Sequence, residues 1–190
     1  MYRSKSDGRN QFSFFEAKMQ QDFLGSFLIE NQLRSAIKNN DFYLLYQPVM
    51  NSQNKKFTGA EALIRYDIDN IIQRPDIFIP IAEKSRLIVE IGRWVILEAI
   101  KQLSTWHQTH DASLTMSINI SSVQLSDEGL IDYIVCCLNA YGVSANKIEF
   151  ELTETALLVE HENSTKMIQG ISDLGCKISL DDFGTGFSSV

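Results

Sequence analysis

The sequence predicts an α/β fold in which parallel strands are joined by helices. Strand-like segments at 115–121, 147–154 and 176–183 alternate with helix-like segments at 127–142 and 163–175. This β-α-β-α-β order, with a period of about 30 residues, is typical of right-handed crossovers between parallel strands. A doubly wound sheet and a (β/α) barrel both have this order, so the pattern alone leaves the two architectures open.

The preceding part of the chain predicts a helix, a hairpin and a second, longer helix. A helical apolar pattern begins near residue 21, and two strand-like runs around a polar turn predict a β-hairpin over 42–66. An amphipathic pattern over 81–106, interrupted near Ser85, predicts the long helix. The hairpin and the long helix therefore precede the parallel repeat.

Composition is that of an ordinary globular protein and limits the partners. Of 190 residues, 44 % are hydrophobic and 22 % are charged, which suits one domain with a core. A net charge of −7 argues against duplex nucleic acid, but an acidic site can hold phosphates when divalent cations lie between the charges. Apolar runs are too short for a membrane span, and the first residues do not resemble a signal peptide. We therefore expect no membrane contact by this segment.

Polar residues follow one side of each predicted strand. Side chains alternate between the two faces of a strand, and the polar parity carries Glu61, Asn119, Glu151 and Asp181. Because helices must cover the aliphatic parity, the polar parity points the other way, which in a barrel is inward at the mouth. Unpaired carboxylates in that position would be costly. The pattern therefore calls for a compensating charge.

A divalent metal is the simplest compensation for these acids. Glu61, Asn119, Glu151 and Asp181 offer oxygen ligands without His or Cys, which favours Mg²⁺ or Mn²⁺ over zinc. Each residue taken singly also fits an exposed strand end or a helix cap, and Asp181 with Asp182 also fits the start of a turn. Their shared parity, one residue per strand, is what favours the metal site.

Four motifs carry a resemblance to a known family. They are "EALIR" at 61–65, "NIS" at 119–121, "ELTE" at 151–154 and "DDFGTGFSS" at 181–189. Their order and spacing resemble those of the EAL-domain family of bacterial cyclic di-GMP phosphodiesterases, over about residues 26 to 190. The resemblance implies a TIM-like (β/α) barrel of EAL type whose first strand runs antiparallel, in agreement with the hairpin.

The resemblance also implies a role for each site residue. The metal ligands would be Glu61, Asn119, Glu151 and Asp181. Asp182 would serve a second Mg²⁺ or Mn²⁺ ion and the attacking water, and Glu154 would hold the "DFGTGFSS" loop in its working shape. The residues in contact with the dinucleotide would be Gln47, Leu63 and Arg65. The implied reaction is two-metal hydrolysis of cyclic di-GMP to linear pGpG, with in-line attack of a deprotonated water on phosphorus.

The two ends of the chain give expectations about the full-length protein. Residues 1–20 resemble the end of a GGDEF (diguanylate cyclase) domain and a linker, and residues 21–190 the N-terminal two-thirds of an EAL domain. The family continues with strands that carry a lysine, a glutamate and a glutamine. About three of the eight barrel strands are therefore expected to be missing, which makes the barrel incomplete and the isolated fragment inactive.

Function and partners follow from the resemblance in two versions. In the first, the chain belongs to a cyclic di-GMP phosphodiesterase of bacterial second-messenger signalling. In the alternative, it is a catalytically silent EAL module that acts as a receptor for cyclic di-GMP or binds a protein partner. Either version implies an upstream GGDEF domain in the same polypeptide and a homodimer of the full-length protein. This segment is expected to lie in the cytoplasm. The sequence is also compatible with a full-length protein that is anchored to the membrane.

Two positions depart from the family pattern within the matching region. Tyr66 stands where the family usually has Trp, and "AEKSRLI" at 82–88 lacks the glycine that usually precedes "LI". Both changes are expected to be tolerated. A local change in structure is expected in the segment 67–76.

Overall fold

The computed structural model describes residues 17–68, 71–153 and 162–181. The helices in these ranges are α1 (Ala17–Asn39), α2 (Pro75–Lys84), α3 (Leu87–Thr109), α4 (Leu130–Tyr141) and α5 (Glu162–Asp173). The strands are β1 (Phe42–Met50), β2 (Phe57–Ile68), β3 (Ile71–Ile72), β4 (Thr115–Ile120), β5 (Ile148–Thr153) and β6 (Lys177–Asp181). The predicted alternation of strands and helices is confirmed, although α1 begins at residue 17 rather than 21 and α4 at residue 130 rather than 127.

The strands form a mixed sheet in the order β1-β2-β4-β5-β6, and β3 pairs with the end of β2. β1 and β2 form the predicted antiparallel hairpin. β2, β4, β5 and β6 are parallel neighbours in that order. A parallel series with an antiparallel first strand is the partial TIM-like barrel that the resemblance implies.

The two faces of the sheet differ in burial. On β4 and β5 the aliphatic parity is almost fully buried against the helices, and the residues concerned are Met116, Ile118, Ile120, Ile148, Phe150 and Leu152. On the other parity, Ser117 and Glu149 are half-buried and Asn119 is exposed. Burial of each large apolar side chain stabilises the fold by about 1.5–3 kcal/mol, so this core holds the strands in register beneath the polar face.

The long helix predicted over 81–106 is divided in two, at the predicted break. Ser85 ends α2, where its hydroxyl donates to the Ile81 carbonyl oxygen at 2.9 Å. Arg86 then adopts a left-handed conformation with φ 61°, and α3 begins at the next residue. Arg86 occupies the position of the missing family glycine. The structure therefore tolerates the departure at a cost of about 1–2 kcal/mol in backbone conformation.

The other departure, Tyr66, lies inside an aromatic cluster. Its side chain is 1 % exposed, and its ring centroid lies 5.1 Å from that of Phe78 and 5.4 Å from that of Phe42. The edge-to-face contact with Phe78 is a favourable geometry for two aromatic rings. A tyrosine therefore packs well where the family usually has tryptophan. In the following segment, Asp67 pairs with Ile72 in a short additional hairpin.

The described residues include all three cysteines and also bear on the expectation about membranes. Cys137 and Cys176 are buried free thiols, and Cys136 is an exposed free thiol. Within the described ranges, no helix combines the length and the apolar character needed to cross a membrane.

Candidate active site

The site is built first from a contact between β2 and β4. Glu61 lies in the middle of β2, paired with Gln47 of β1 and Ser117 of β4. Asn119 lies two residues further along β4, on the same parity as Ser117. Its side-chain Nδ2 donates to Glu61 Oε1 at 2.7 Å. Two of the four predicted metal ligands are thus in direct contact.

The third predicted ligand lies on the next strand. Glu151 of β5 is directly paired with Asn119 of β4 and with Ser179 of β6. Paired residues share a face of the sheet, so Glu61, Asn119 and Glu151 lie on one face of three neighbouring strands. Their common face agrees with the alternation predicted from the sequence.

The remaining predicted residues lie at or beyond the limits of the described structure. The backbone of Asp181 pairs with Thr153, two residues beyond the Glu151–Ser179 pair and on the same parity. Glu154 and Asp182 lie outside the described residues. Among the side chains that are described, no three His, Cys, Asp or Glu residues cluster closely enough to hold a metal. The ligand roles of this set accordingly stay predictions.

The described donors nevertheless have the chemistry that a hard divalent cation requires. The bond to Glu61 uses an N–H of the Asn119 amide and leaves the carbonyl oxygen of that amide as an electron-pair donor. Carboxylate and amide oxygens are ligands preferred by Mg²⁺ and Mn²⁺. On the same face, the buried hydroxyl of Ser179 has no hydrogen-bond partner among the described residues. These features fit a cation with its hydration shell.

The three predicted substrate contacts lie along the hairpin on this same face. Gln47 is paired with Glu61, Leu63 with Leu45, and Arg65 with Tyr43. All of these residues lie on the same parity of the hairpin. Gln47 is exposed, whereas Leu63 and Arg65 are half-buried. Arg65 Nη1 donates to the Ile64 carbonyl oxygen at 2.8 Å. These three residues therefore extend the site along the hairpin, away from the metal ligands.

A cavity of about 260 Å³ opens beside Leu63 and Arg65. It forms beyond Ala62, the last residue of β2 that is paired with β4. Its lining is mostly apolar, with polar groups from Asn119, Ser121, Glu83 and Gln124. Apolar walls with a few polar groups suit a flat heterocyclic base.

Three polar residues that line this cavity were not predicted to be site residues from the sequence. They are Glu83, Ser121 and Gln124. Burial raises the pKa of the Glu83 carboxyl. The Ser121 hydroxyl is buried and has no hydrogen-bond partner among the described residues. The available signal for Ser121 was its place in the "NIS" motif on the polar parity, and for Gln124 its position in a polar turn after the strand end.

Comparison with known proteins identifies the class to which this sheet and its polar face belong. A family model described as "EAL domain" matches residues 30–190. The chain therefore belongs to the EAL domain family. This match agrees with the fold, with the antiparallel first strand and with the position of the EAL motif on β2.

Individual relatives carry names that describe an activity. The chain is 34 % identical over its whole length to the bifunctional diguanylate cyclase/cyclic di-GMP phosphodiesterase MucR of Pseudomonas aeruginosa, of which it covers 28 %. It is 35 % identical over its whole length to the cyclic di-GMP phosphodiesterase PdeR of Escherichia coli, of which it covers 29 %. The chain thus spans less than a third of the length of these curated relatives.

A solved structure gives the same picture. The PaMucR phosphodiesterase in complex with c-di-GMP is 33 % identical and matches with a TM-score of 0.78, covering 85 % of this chain and 66 % of that one. This similarity supports the partial barrel as the fold of the described residues.

Proposed function

We propose that the chain is the EAL part of a bacterial phosphodiesterase that hydrolyses cyclic di-GMP to linear pGpG. The observation that carries the proposal is the contact between Glu61 and Asn119, with Glu151 paired to Asn119 on the next strand. These oxygen donors lie on the face away from the helices. Barrel enzymes have their active sites at the carboxyl ends of parallel strands. The names of the relatives support the choice of substrate.

In this proposal each residue has a defined part in the reaction. The residues that would hold two Mg²⁺ or Mn²⁺ ions are Glu61, Asn119, Glu151, Asp181 and Asp182. Such ions lower the pKa of a water molecule and neutralise the charge that develops on the phosphate. Asp182 would also orient the attacking water, and Glu154 would restrain the loop that contains Asp182.

The substrate would lie along the hairpin, at right angles to the row of ligands. Arg65, as a fixed cation beside the cavity, would bind the anionic dinucleotide, and Leu63 would pack against its apolar surface. Gln47, paired with Glu61, would donate a hydrogen bond near the phosphate. The adjoining cavity would receive a base, so the phosphodiester is held next to the acids.

The test measures Mg²⁺-dependent hydrolysis of cyclic di-GMP by the full-length protein. Glu61→Gln and Asp181→Asn are expected to lower turnover by at least about 100-fold, because each removes a charged ligand. Glu149→Gln is the matched control, because it changes an acid on the strand and parity of Glu151 that lies two residues earlier and pairs with Ser117 rather than Asn119. Its turnover should stay close to wild type.

The outcomes separate the two functions implied by the sequence. Near-normal turnover in both ligand variants would show that the ligand assignment is wrong. A wild-type protein that binds cyclic di-GMP without hydrolysing it would be a receptor rather than an enzyme. The inactivity expected of the 190-residue chain on its own stays a prediction, and a parallel assay of that chain tests it.

A further inference from the structure

We propose that Gln124 is a positioning residue that sets the metal affinity of the site by holding the end of β4, in a space that Gly92 leaves free. This inference rests on the proposed function, since it assumes that Asn119 is a metal ligand. It concerns the turn Ser121–Asp127, here called the β4 turn, which follows Asn119 after one residue. Neither Gln124 nor Gly92 has a role in the ligand set described above.

Gln124 holds the β4 turn closed through two hydrogen bonds to one residue. Its side-chain Oε1 accepts from the Ser121 backbone N–H at 3.0 Å, and its own backbone N–H donates to the Ser121 carbonyl oxygen at 3.1 Å. The side chain is only 4 % exposed, so the bond to Oε1 is shielded from water. Asn119 is therefore constrained by Glu61 through its side chain and by the β4 turn through its backbone.

Gly92 of α3 provides the space for this amide. A Cβ atom at residue 92 would lie 1.8 Å from Gln124 Nε2 and 2.6 Å from its Cδ, far inside contact distance. Glycine inside a helix costs about 1 kcal/mol relative to alanine. The close packing against Gln124, rather than an unusual backbone conformation, accounts for glycine at this position.

Neighbouring contacts tie the same turn to the helix. Arg93 donates from Nε and Nη2 to the two carboxylate oxygens of Asp127, each at 2.8 Å. Arg86 donates to the Ser126 hydroxyl at 3.2 Å. The β4 turn is thus fixed to α3 at its far end, so a displacement of Gln124 is transmitted towards Asn119 rather than absorbed at Asp127.

The experiment uses the full-length protein and measures the Mn²⁺ dissociation constant by calorimetry without substrate. The variants are Gln124→Ala, Gly92→Ala and the double variant. Loss of a residue that orients a metal ligand typically weakens metal binding about 10- to 100-fold, and we expect this range for each single variant. The Mg²⁺ concentration that gives half-maximal turnover at saturating cyclic di-GMP should rise by the same factor.

The double variant tests whether Gly92 acts by leaving space for the Gln124 amide. Without the Gln124 amide, a methyl group at residue 92 would no longer clash with this side chain. The double variant should therefore bind Mn²⁺ with the same affinity as Gln124→Ala. Fully additive losses would overturn the steric part of the proposal, because they would show that the two residues act independently.

Ser104→Ala separates positioning from general stability. Ser104 is a buried residue of the same helix, and its hydroxyl donates to the Tyr141 carbonyl oxygen at 2.7 Å, in the half of α3 away from Gly92. Its loss should lower the melting temperature and leave the Mn²⁺ dissociation constant unchanged. If Gln124→Ala behaves like this control, the inference fails and the proposed function stands. If the wild-type protein binds neither Mn²⁺ nor cyclic di-GMP, both fail.

Discussion

The two faces of β4 and β5 are made by alternate residues of the same strands, yet they have different tasks. One face is aliphatic and closed by helices, with Phe150 among its fully buried side chains. The other carries Asn119 and Glu151, and beside it on β6 the buried Ser179 hydroxyl has no hydrogen-bond partner among the described residues. Residues one position apart therefore belong to different energetic environments.

The difference shows why the polar face can hold a group of acids at all. Charges close together are destabilising unless something compensates for them, and an apolar core beneath them must supply the missing stability. The helix-covered face does this through large side chains in close contact. Substitutions on the first face should therefore change stability, and conservative substitutions on the second should change binding and turnover.

The strongest test of this division compares adjacent residues of β5. Phe150→Ala removes a fully buried ring and should lower the free energy of unfolding by about 3–5 kcal/mol. Glu151→Gln keeps the shape of the side chain and should change that free energy by less than about 1 kcal/mol. Urea denaturation followed by circular dichroism measures both. Similar losses in the two variants would contradict the division between faces.

A smaller loss of stability is expected at Gly59, which lies on the polar parity of β2 in close contact with β4. A Cβ atom at Gly59 would lie 2.3 Å from the Thr115 carbonyl oxygen, so Gly59→Ala should force β2 and β4 apart. We expect a loss of about 1–3 kcal/mol in the free energy of unfolding. Gly25→Ala is the matched control, because nothing lies within 4 Å of the added Cβ in α1. It should raise stability by up to about 1 kcal/mol; a rise in both variants would argue against close approach at Gly59.

The sequence predicted the parity of Glu61, Asn119 and Glu151 because strand alternation is a local property that needs no knowledge of the neighbours. The break at Ser85 was also predictable, since it interrupts an amphipathic repeat. Burial of Gln124 was not, because a polar residue in a turn usually faces solvent and only the packing of α3 encloses it here. Such contacts join segments that are distant in the chain.

The cavity between the two faces was unpredictable for the same reason. It requires β2 and β4 to part beyond Ala62, and the strand patterns contain no sign of this divergence. Its lining combines Ile120 from the helix-covered face with Leu63 and Asn119 from the polar face. Glu83 of α2 also lines this cavity. A substitution of this acid therefore tests the environment inside the cavity.

The smallest expected effect is therefore a dependence on pH at Glu83. Burial raises the pKa of this carboxyl in the folded protein, so its neutral form is favoured by folding. The corresponding stability is complete below the pKa of the unfolded chain and is lost as pH rises through the folded pKa. Glu83→Gln is neutral at every pH and should melt slightly higher than wild type at pH 7, with no advantage near pH 4.

Thermal melts across this range measure the difference, and Glu128→Gln, which alters an exposed acid, serves as the control. The control should show no comparable gain at pH 7, because its carboxylate is already hydrated in the folded protein. A gain for Glu83→Gln that persisted at pH 4 would mean that shape, not charge, limits the fit of residue 83. A gain confined to neutral pH would show that the ionisable carboxyl of Glu83, and not the shape of residue 83, lowers stability there.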